Sequence, residues 1–221
     1  MRNDHGKKSA GFLQIQDGKL VHMKTILDNL YACRSPRYLQ NDPLSFCHRY
    51  PESPDQEIVG LIASSFAYGK VHSIKRSVEK ILAVVNPSPL QFIESYDPAS
   101  ARKLLTGFKH RFNDENDISD LIVIFKKVLA KYSSLEKFFL QGYNEADETI
   151  LPALEIFCDN LIKVHNKPPS RGLGYLLCKP SSGSPCKRLN LFLRWMVRSD
   201  EVDLGIWPCV NKAKLIIPVA L

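Results

Sequence analysis

None of the six cysteines in this 221-residue chain stands in a C-x-x-C pair. They are Cys33, Cys47, Cys158, Cys178, Cys186 and Cys209. Zinc and iron–sulfur sites are usually built from close cysteine pairs, so the sequence predicts neither metal nor cluster. In a reducing compartment they read as free thiols, several of them core fillers. No apolar run approaches the roughly 20 residues needed to span a bilayer. The N-terminal MRNDHGKKSAGF has no apolar signal-peptide core. Together these features predict a cytoplasmic protein that is not a membrane protein. His48, His72, His110 and His165 stand singly, with no pair at metal-ligand spacing. No G-x-S-x-G is present, so a hydrolase triad has no support. Alternating apolar–polar runs with hairpin turns are also missing, which points away from β folds.

What is present is a globular composition, 44% hydrophobic and 24% charged. The length suits one well-filled domain or two small ones. Net charge is +7, and its placement is uneven. Between Lys163 and Lys214 there are ten Lys/Arg against three acids, while the rest of the chain balances at 20 against 20. Such asymmetry suits a polyanion partner, nucleic acid first. A solvated basic face is the competing reading.

Residues 1–22 are polar and aperiodic, and are expected to be a disordered or non-native tail. Residues 23–221 then read as a single all-α domain of eight to ten short helices. Met23–Cys33 carries Ile26, Leu27, Leu30 and Tyr31 at helical spacing. LSFCHRY after Asp42-Pro43 reads as a short helix. Ser53-Pro54-Asp55-Gln56 reads as a capping box opening EIVGLIASSFAY, a nearly all-apolar and therefore central helix that Gly69 ends. Val71–Val85 follows, with Val71, Ile74, Val78, Ile81, Leu82 and Val85 on one face. Short helices are predicted around Leu90–Tyr96 and Ala99–Phe108, then a polar loop from Lys109 to Asn116. Asp117 is expected to cap an amphipathic helix. Ser133-x-x-Glu136 is expected to box the next, and Leu151–His165 is a further helix.

The last quarter, PSSGSPCKRLNLFLRWMVRSDEVDLGIWPCVNKAKLIIPVAL, carries the chemistry. Ser184 is expected to cap a helix with Pro185 at its first position. Leu189, Phe192, Leu193 and Met196 form its buried stripe. Lys187, Asn190, Arg194 and Arg198, at spacings of three, four and four, form a mostly basic stripe. Backbone N–H groups at a turn and helix start, aided by such cations, can hold phosphate. A lysine there is suited to attack a sugar carbon if it sheds its proton. A helix start and the neighbouring Arg188 favour that, and burial would help further. An exposed structural lysine is the other reading of Lys187.

The pieces DPLSFCHRY, DQEIVGLIASSFAYGKVHSI, FNDENDISDL and SPCKRLNLFLRWMVR…VDLGIW…LIIPV resemble an uncharacterised family of conserved bacterial proteins, over about Met23 to Val219. That family is similar, more distantly, to the helix-hairpin-helix DNA glycosylases, nearest the archaeal 8-oxoguanine glycosylase. The resemblance implies a two-lobed helical bundle and a flipped base held between lobes. It also implies a lysine that forms a Schiff base at C1′, assisted by a downstream aspartate. By position, Pro180-Ser181-Ser182-Gly183 stands where the hairpin turn falls, and Lys187 where the nucleophile falls. Only one of the hairpin's usual two glycines, Gly183, is present. Ala220 stands where the aspartate is expected, and the chain then ends, so it is expected to lack the C-terminal helices.

The resulting expectation is a base-excision glycosylase/lyase with Lys187 as nucleophile, inactive here if truncation has removed its assisting aspartate. Ser182, Gly183, Ser184, Arg188, Arg194 and Arg198 would be on DNA, and Ser65 and Tyr68 at the base pocket. For Tyr68 a core tyrosine with a satisfied hydroxyl is the favoured reading, and a ring that stacks on a base the other. Trp195 is expected in the core, and Trp207 is left open between core and DNA wedge. Asp200, Glu201 and Asp203 are expected in an exposed loop rather than as a substitute carboxylate. The partner is nucleic acid, DNA first. No cofactor or metal is expected, and the chain is read as a monomer. The alternative is a helical protein that grips nucleic acid without chemistry.

Overall fold

A computed structural model describes residues 17–32 and 36–217 of the chain. It divides into two compact units, the first ending at Tyr38 and the second beginning at Leu39. In the first, helix α1 spans Asp17–Ala32. It starts before Met23, so residues 17–22 are helical and not part of an irregular tail. Its Met23, Ile26, Leu27 and Leu30 are exposed.

The second unit is all-α among the described residues, apart from one small hairpin. Its centre is α2 (Ser53–Ser65), in which every residue from Glu57 to Ser65 is buried. The expected capping box at its start does not form. Glu52 is the N-cap without a side-chain bond, and Gln56 donates to the Tyr50 carbonyl instead, at 2.8 Å. The segment before it, Pro43–Arg49, is a 3-10 helix whose first turn is capped by Asp42. After α2 come α3 (Val71–Val85) and α4 (Pro89–Ser95). The α3 bounds agree with the sequence reading. Val71 itself is exposed, while Ile74, Val78, Ile81, Leu82 and Val85 are buried as expected.

A short helix α5 (Pro98–Ala101) and a 3-10 turn, Arg102–Leu105, replace the single helix expected there. The stretch read as a polar loop holds a hairpin, β1 (Lys109–His110) and β2 (Asn113–Asp114), with His110 opposite Asn113. Strands of two residues are too short to register as alternation. Helix α6 (Glu115–Tyr132) starts two residues before Asp117. Asp114 is its N-cap, and Asp117 closes the capping box from the third position. Helix α7 (Leu135–Phe139) is capped by Ser134, because Ser133 ends α6 in the left-handed region. Helix α8 (Leu151–His165) has the expected bounds, and α9 (Arg171–Leu176) and α10 (Lys187–Val197) complete the set.

Helix α2 packs against α3, α4, α7 and α10. A Cβ on Gly60 would lie 2.7 Å from Met196 Cε and 3.4 Å from Phe192, so the glycine lets α2 and α10 cross closely. Trp195 and Trp207 are both fully buried, which settles Trp207 as core. Burying side chains of this size is worth about 1.5–3 kcal/mol each. Two acids on α2 cap other elements from inside. Asp55 accepts the Leu90 N–H of α4 at 2.7 Å. Glu57 accepts the Leu135 and Glu136 N–H groups of α7 at 2.9 and 3.1 Å, and the Trp207 indole N–H at 2.6 Å. Burial raises the Glu57 carboxyl above its ordinary range, against the pull of these donors. Among the described residues no helix is long and apolar enough to cross a membrane.

Removing Glu57 leaves three buried donors without an acceptor. Glu57→Ala is therefore expected to lower the unfolding free energy by about 3 kcal/mol, read from the urea midpoint at unchanged slope. Glu57→Gln, which keeps one acceptor oxygen, should fall between. A loss below about 0.5 kcal/mol, the scatter of ordinary surface changes, would show that the carboxylate does not hold α7 and Trp207 in place.

Candidate functional site

The site is built at the meeting of the hairpin tip, α9 and the start of α10. Ser170 caps α9, its hydroxyl accepting the Leu173 N–H at 2.9 Å and donating to Asp117 Oδ1 at 2.5 Å. The other Asp117 oxygen accepts from Asn113 Nδ2 at 2.8 Å and from the Asp114 N–H at 3.2 Å. A Cβ on Gly172 would lie 1.9 Å from that oxygen, so only glycine lets α9 sit on the carboxylate. Asn113 Oδ1 in turn accepts the Tyr68 hydroxyl. One buried polar chain thus fixes α9, the hairpin and Tyr68 together.

The hairpin turn is Arg111-Phe112, with Arg111 in the left-handed region at φ 55°. It presents Phe112 at its tip. Phe112 and Tyr175 of α9 meet edge to face at 4.6 Å, and both remain about two-fifths exposed. Tyr68 packs behind them, 5.1 Å from Tyr175 and 6.0 Å from Phe112. The Phe112 and Tyr175 rings open onto a cleft of about 620 Å³. Arg171, Lys187 and Arg188 line it together with Cys178, Ser184 and Pro185, and among the described residues no acid does.

Arg188 is only 9% exposed. Its guanidinium donates to the Ser65 carbonyl at 2.7 Å and to the Tyr175 carbonyl at 2.5 Å. It lies 4.0 Å from the Tyr175 ring centre and 5.1 Å from that of Tyr68. His110 stands behind Tyr68, ring to ring at 4.5 Å. Its Nε2 faces the Tyr68 carbonyl at 3.0 Å and its Nδ1 the Ser77 hydroxyl at 2.8 Å, an arrangement that suits an Nε2–H tautomer. Burial holds the His110 imidazole below its ordinary value, and Arg111 and Arg188 push the same way.

The residues singled out from sequence are divided by the structure. Lys187 is the first residue of α10, exposed, and on the cleft. It has the helix start and the neighbouring Arg188, but not burial. Ser184 lies on the cleft too. It does not cap α10, because Cys186 in the left-handed region occupies that position; its hydroxyl instead accepts the Cys186 N–H at 3.2 Å. Arg188 is under the surface rather than on a solvent-facing stripe. Ser65 contributes its carbonyl, while its buried hydroxyl meets no partner among the described residues. Tyr68 is half-buried behind the cleft lining, with its hydroxyl satisfied within the protein.

The remaining residues lie apart from the cleft lining. Ser182 and Gly183 end the exposed Pro180–Ser182 turn, which is tied to α8: Glu155 accepts the Ser181 N–H at 2.8 Å and its hydroxyl at 2.6 Å. Those donors, the hydroxyl first, hold the Glu155 carboxyl below its ordinary range. Arg194 pairs with Asp203 at 3.0 Å, and Arg198 with Asp200 at 2.6 Å. Asp203 is buried, so the expected exposed acidic loop instead folds onto the basic stripe. Asn190 is likewise buried and leaves that stripe.

Phe112, Arg171 and Tyr175 escaped the sequence reading. The available signal was Arg171 and Tyr175 at i, i+4 behind a Ser cap, and an Arg-Phe pair in a polar turn. Among the described residues no group of three or more His, Cys, Asp or Glu is placed to hold a metal ion. Five described cysteines are free thiols, and Cys33 and Ala220 lie outside the described residues. Residues 42–221 match the model of a family described as "protein of unknown function (DUF2400)". No curated protein and no solved structure matches the chain.

His110 supplies a pH test of this packing. An unfolded histidine takes up its proton near pH 6.5, whereas the folded site resists it. Stability is therefore full above that pH and declines as pH falls below it, by up to about 1.4 kcal/mol per pH unit. Denaturation midpoints between pH 7 and 5 should fall less steeply in His110→Gln than in the parent chain. Parallel curves would refute the assigned burial of a neutral imidazole.

Proposed function

The chain belongs to the DUF2400 family, and from the geometry of its cleft we propose a nucleic-acid-binding protein of the DNA glycosylase/lyase type. In this reading the cleft receives an extrahelical nucleotide, whose base stacks on Tyr175 and Phe112. Arg171 at the rim holds backbone phosphate. The observation that carries it is that exposed Lys187 opens α10 on the same cleft as two exposed rings and two further cations. The resemblance to helix-hairpin-helix glycosylases adds to it.

The chemistry asked of Lys187 is addition of its neutral amine to C1′. The bond from C1′ to the base breaks, and the base leaves with the electron pair and gains a proton. The C1′–O4′ bond then opens, with O4′ protonated, leaving an imine between C1′ and Nζ. Borohydride reduces that imine to a stable amine.

A second reading, binding without chemistry, is favoured by one observation: among the described residues no carboxylate lines the cleft beside Lys187. The two readings separate in one set of experiments. With DNA carrying an abasic site or an oxidised purine, borohydride is expected to trap a covalent protein–DNA species that Lys187→Ala abolishes. Arg171→Ala should keep trapping while lowering the slope of log affinity against log salt by about 1. Binding with no trapped species across several lesions would leave the second reading. No binding at low salt would remove both.

A further inference from the structure

Arg188 carries a positive charge below the surface, and among the described residues no carboxylate forms an ion pair with it. Buried cations are normally paired, because desolvation is costly without a countercharge. The two carbonyls it meets are helix-end groups with partial charge only. A guanidinium has five N–H groups. Two are used, and the others have no protein acceptor among the described residues. Arg171 and Lys187 add two more cations to the same cleft, which no acid among the described residues lines.

We infer that the cleft holds a phosphate monoester against Arg188, and that its preferred ligand is a nucleic-acid strand end bearing a 5′-phosphate. This rests on the nucleic-acid reading above and names the group that enters. A monoester carries about −1.5 to −2 at neutral pH, a closer match to three convergent cations than the single charge of an internal diester. A strand running past the protein lays its diesters on surface cations. A cation at the floor of the cleft is reached by a terminal group.

The volume, about 620 Å³, lies in the range of small-ligand clefts. It has room for one nucleotide with its ring on Tyr175. The Arg188 fork, with N–H groups to spare, suits bidentate contact with phosphate oxygens. The proposed lyase chemistry also generates such an end. Loss of a C2′ proton from the imine expels the 3′ phosphate oxygen, and the downstream strand is left with a 5′-phosphate.

The test uses the full chain and one internally labelled single strand, prepared with a 5′-phosphate, a 5′-hydroxyl or a 3′-phosphate. Fluorescence anisotropy is expected to give at least about tenfold tighter binding of the 5′-phosphorylated strand, the scale of one charge-assisted contact. Deoxyadenosine 5′-monophosphate should compete, and deoxyadenosine should not. Arg188→Gln should abolish the preference. Arg188 also bridges two helix ends, so its unfolding midpoint is measured alongside, and exposed Lys187→Gln is expected to reduce the preference in a folded protein.

Equal affinity for all three strands would overturn the inference and leave the nucleic-acid reading intact. Binding of the monophosphate by calorimetry, with no binding of any strand, would sink that reading and keep the phosphate site. No binding of any ligand would end both.

Discussion

The Arg188 guanidinium is the tie on which the candidate site depends. It satisfies the Ser65 carbonyl at the last residue of α2 and the Tyr175 carbonyl near the end of α9. Helix C-termini leave carbonyls without intrahelical partners, and a cation there is favourable. One side chain from a third helix therefore closes two helix ends at once and fixes how α9 and α10 splay around the cleft. The rings of Tyr68 and Tyr175 cover it. Its neighbour Lys187 stays exposed and lines the same cleft. Anchor and exposed amine follow from a single Lys-Arg dipeptide at a helix start.

Acids play the complementary part at helix N-termini. Asp55 serves α4 and Glu57 serves α7, both from buried positions in the N-terminal half of α2. Asp117 serves its own helix and, through Ser170, α9. Each is a carboxylate taken out of water and given N–H or O–H donors, the condition under which burial of such a group is tolerated. Capping from a distant element makes the helix ends depend on tertiary packing. That explains why several short helices persist at lengths where isolated ones would be marginal.

The same fact sets how much was legible in the sequence. Helices α3 and α8 have the bounds read from sequence, because periodicity and turn residues agree there. The start of α2 was misread, because Gln56 is drawn to the Tyr50 carbonyl rather than to its own cap. Helix α9 and the hairpin were too short to show a period. In the site, Lys187 and Ser184 were found from a local pattern at a helix start. Phe112 and Tyr175 were not, since their meeting depends on Asp117 and Asn113 joining segments far apart in the chain. Arg188 was placed on the right helix, but nothing local distinguishes a surface arginine from one turned inward onto two carbonyls.

The basic terminal quarter shows most clearly why composition alone misdirects. Read along the sequence, its excess charge looks like one electropositive face. In three dimensions much of it is already answered. Lys179 lies 2.7 Å from Asp159 and 3.4 Å from Glu155. Arg194 and Arg198 share Asp203, with Asp200 on the latter. Lys214 is buried on the carbonyls of Asn144, Glu145 and Asp147, where it holds a turn. Glu155, Asp159 and Glu145 lie outside the 163–214 window, so counting within it missed the compensation. Arg171, Lys187 and Arg188 instead line one cleft that no acid among the described residues lines, next to two exposed rings. A functional field comes from charges left uncompensated at close range, where low dielectric magnifies them. By that criterion these three cations, rather than the seven-charge excess, mark where an anionic ligand gains most by binding.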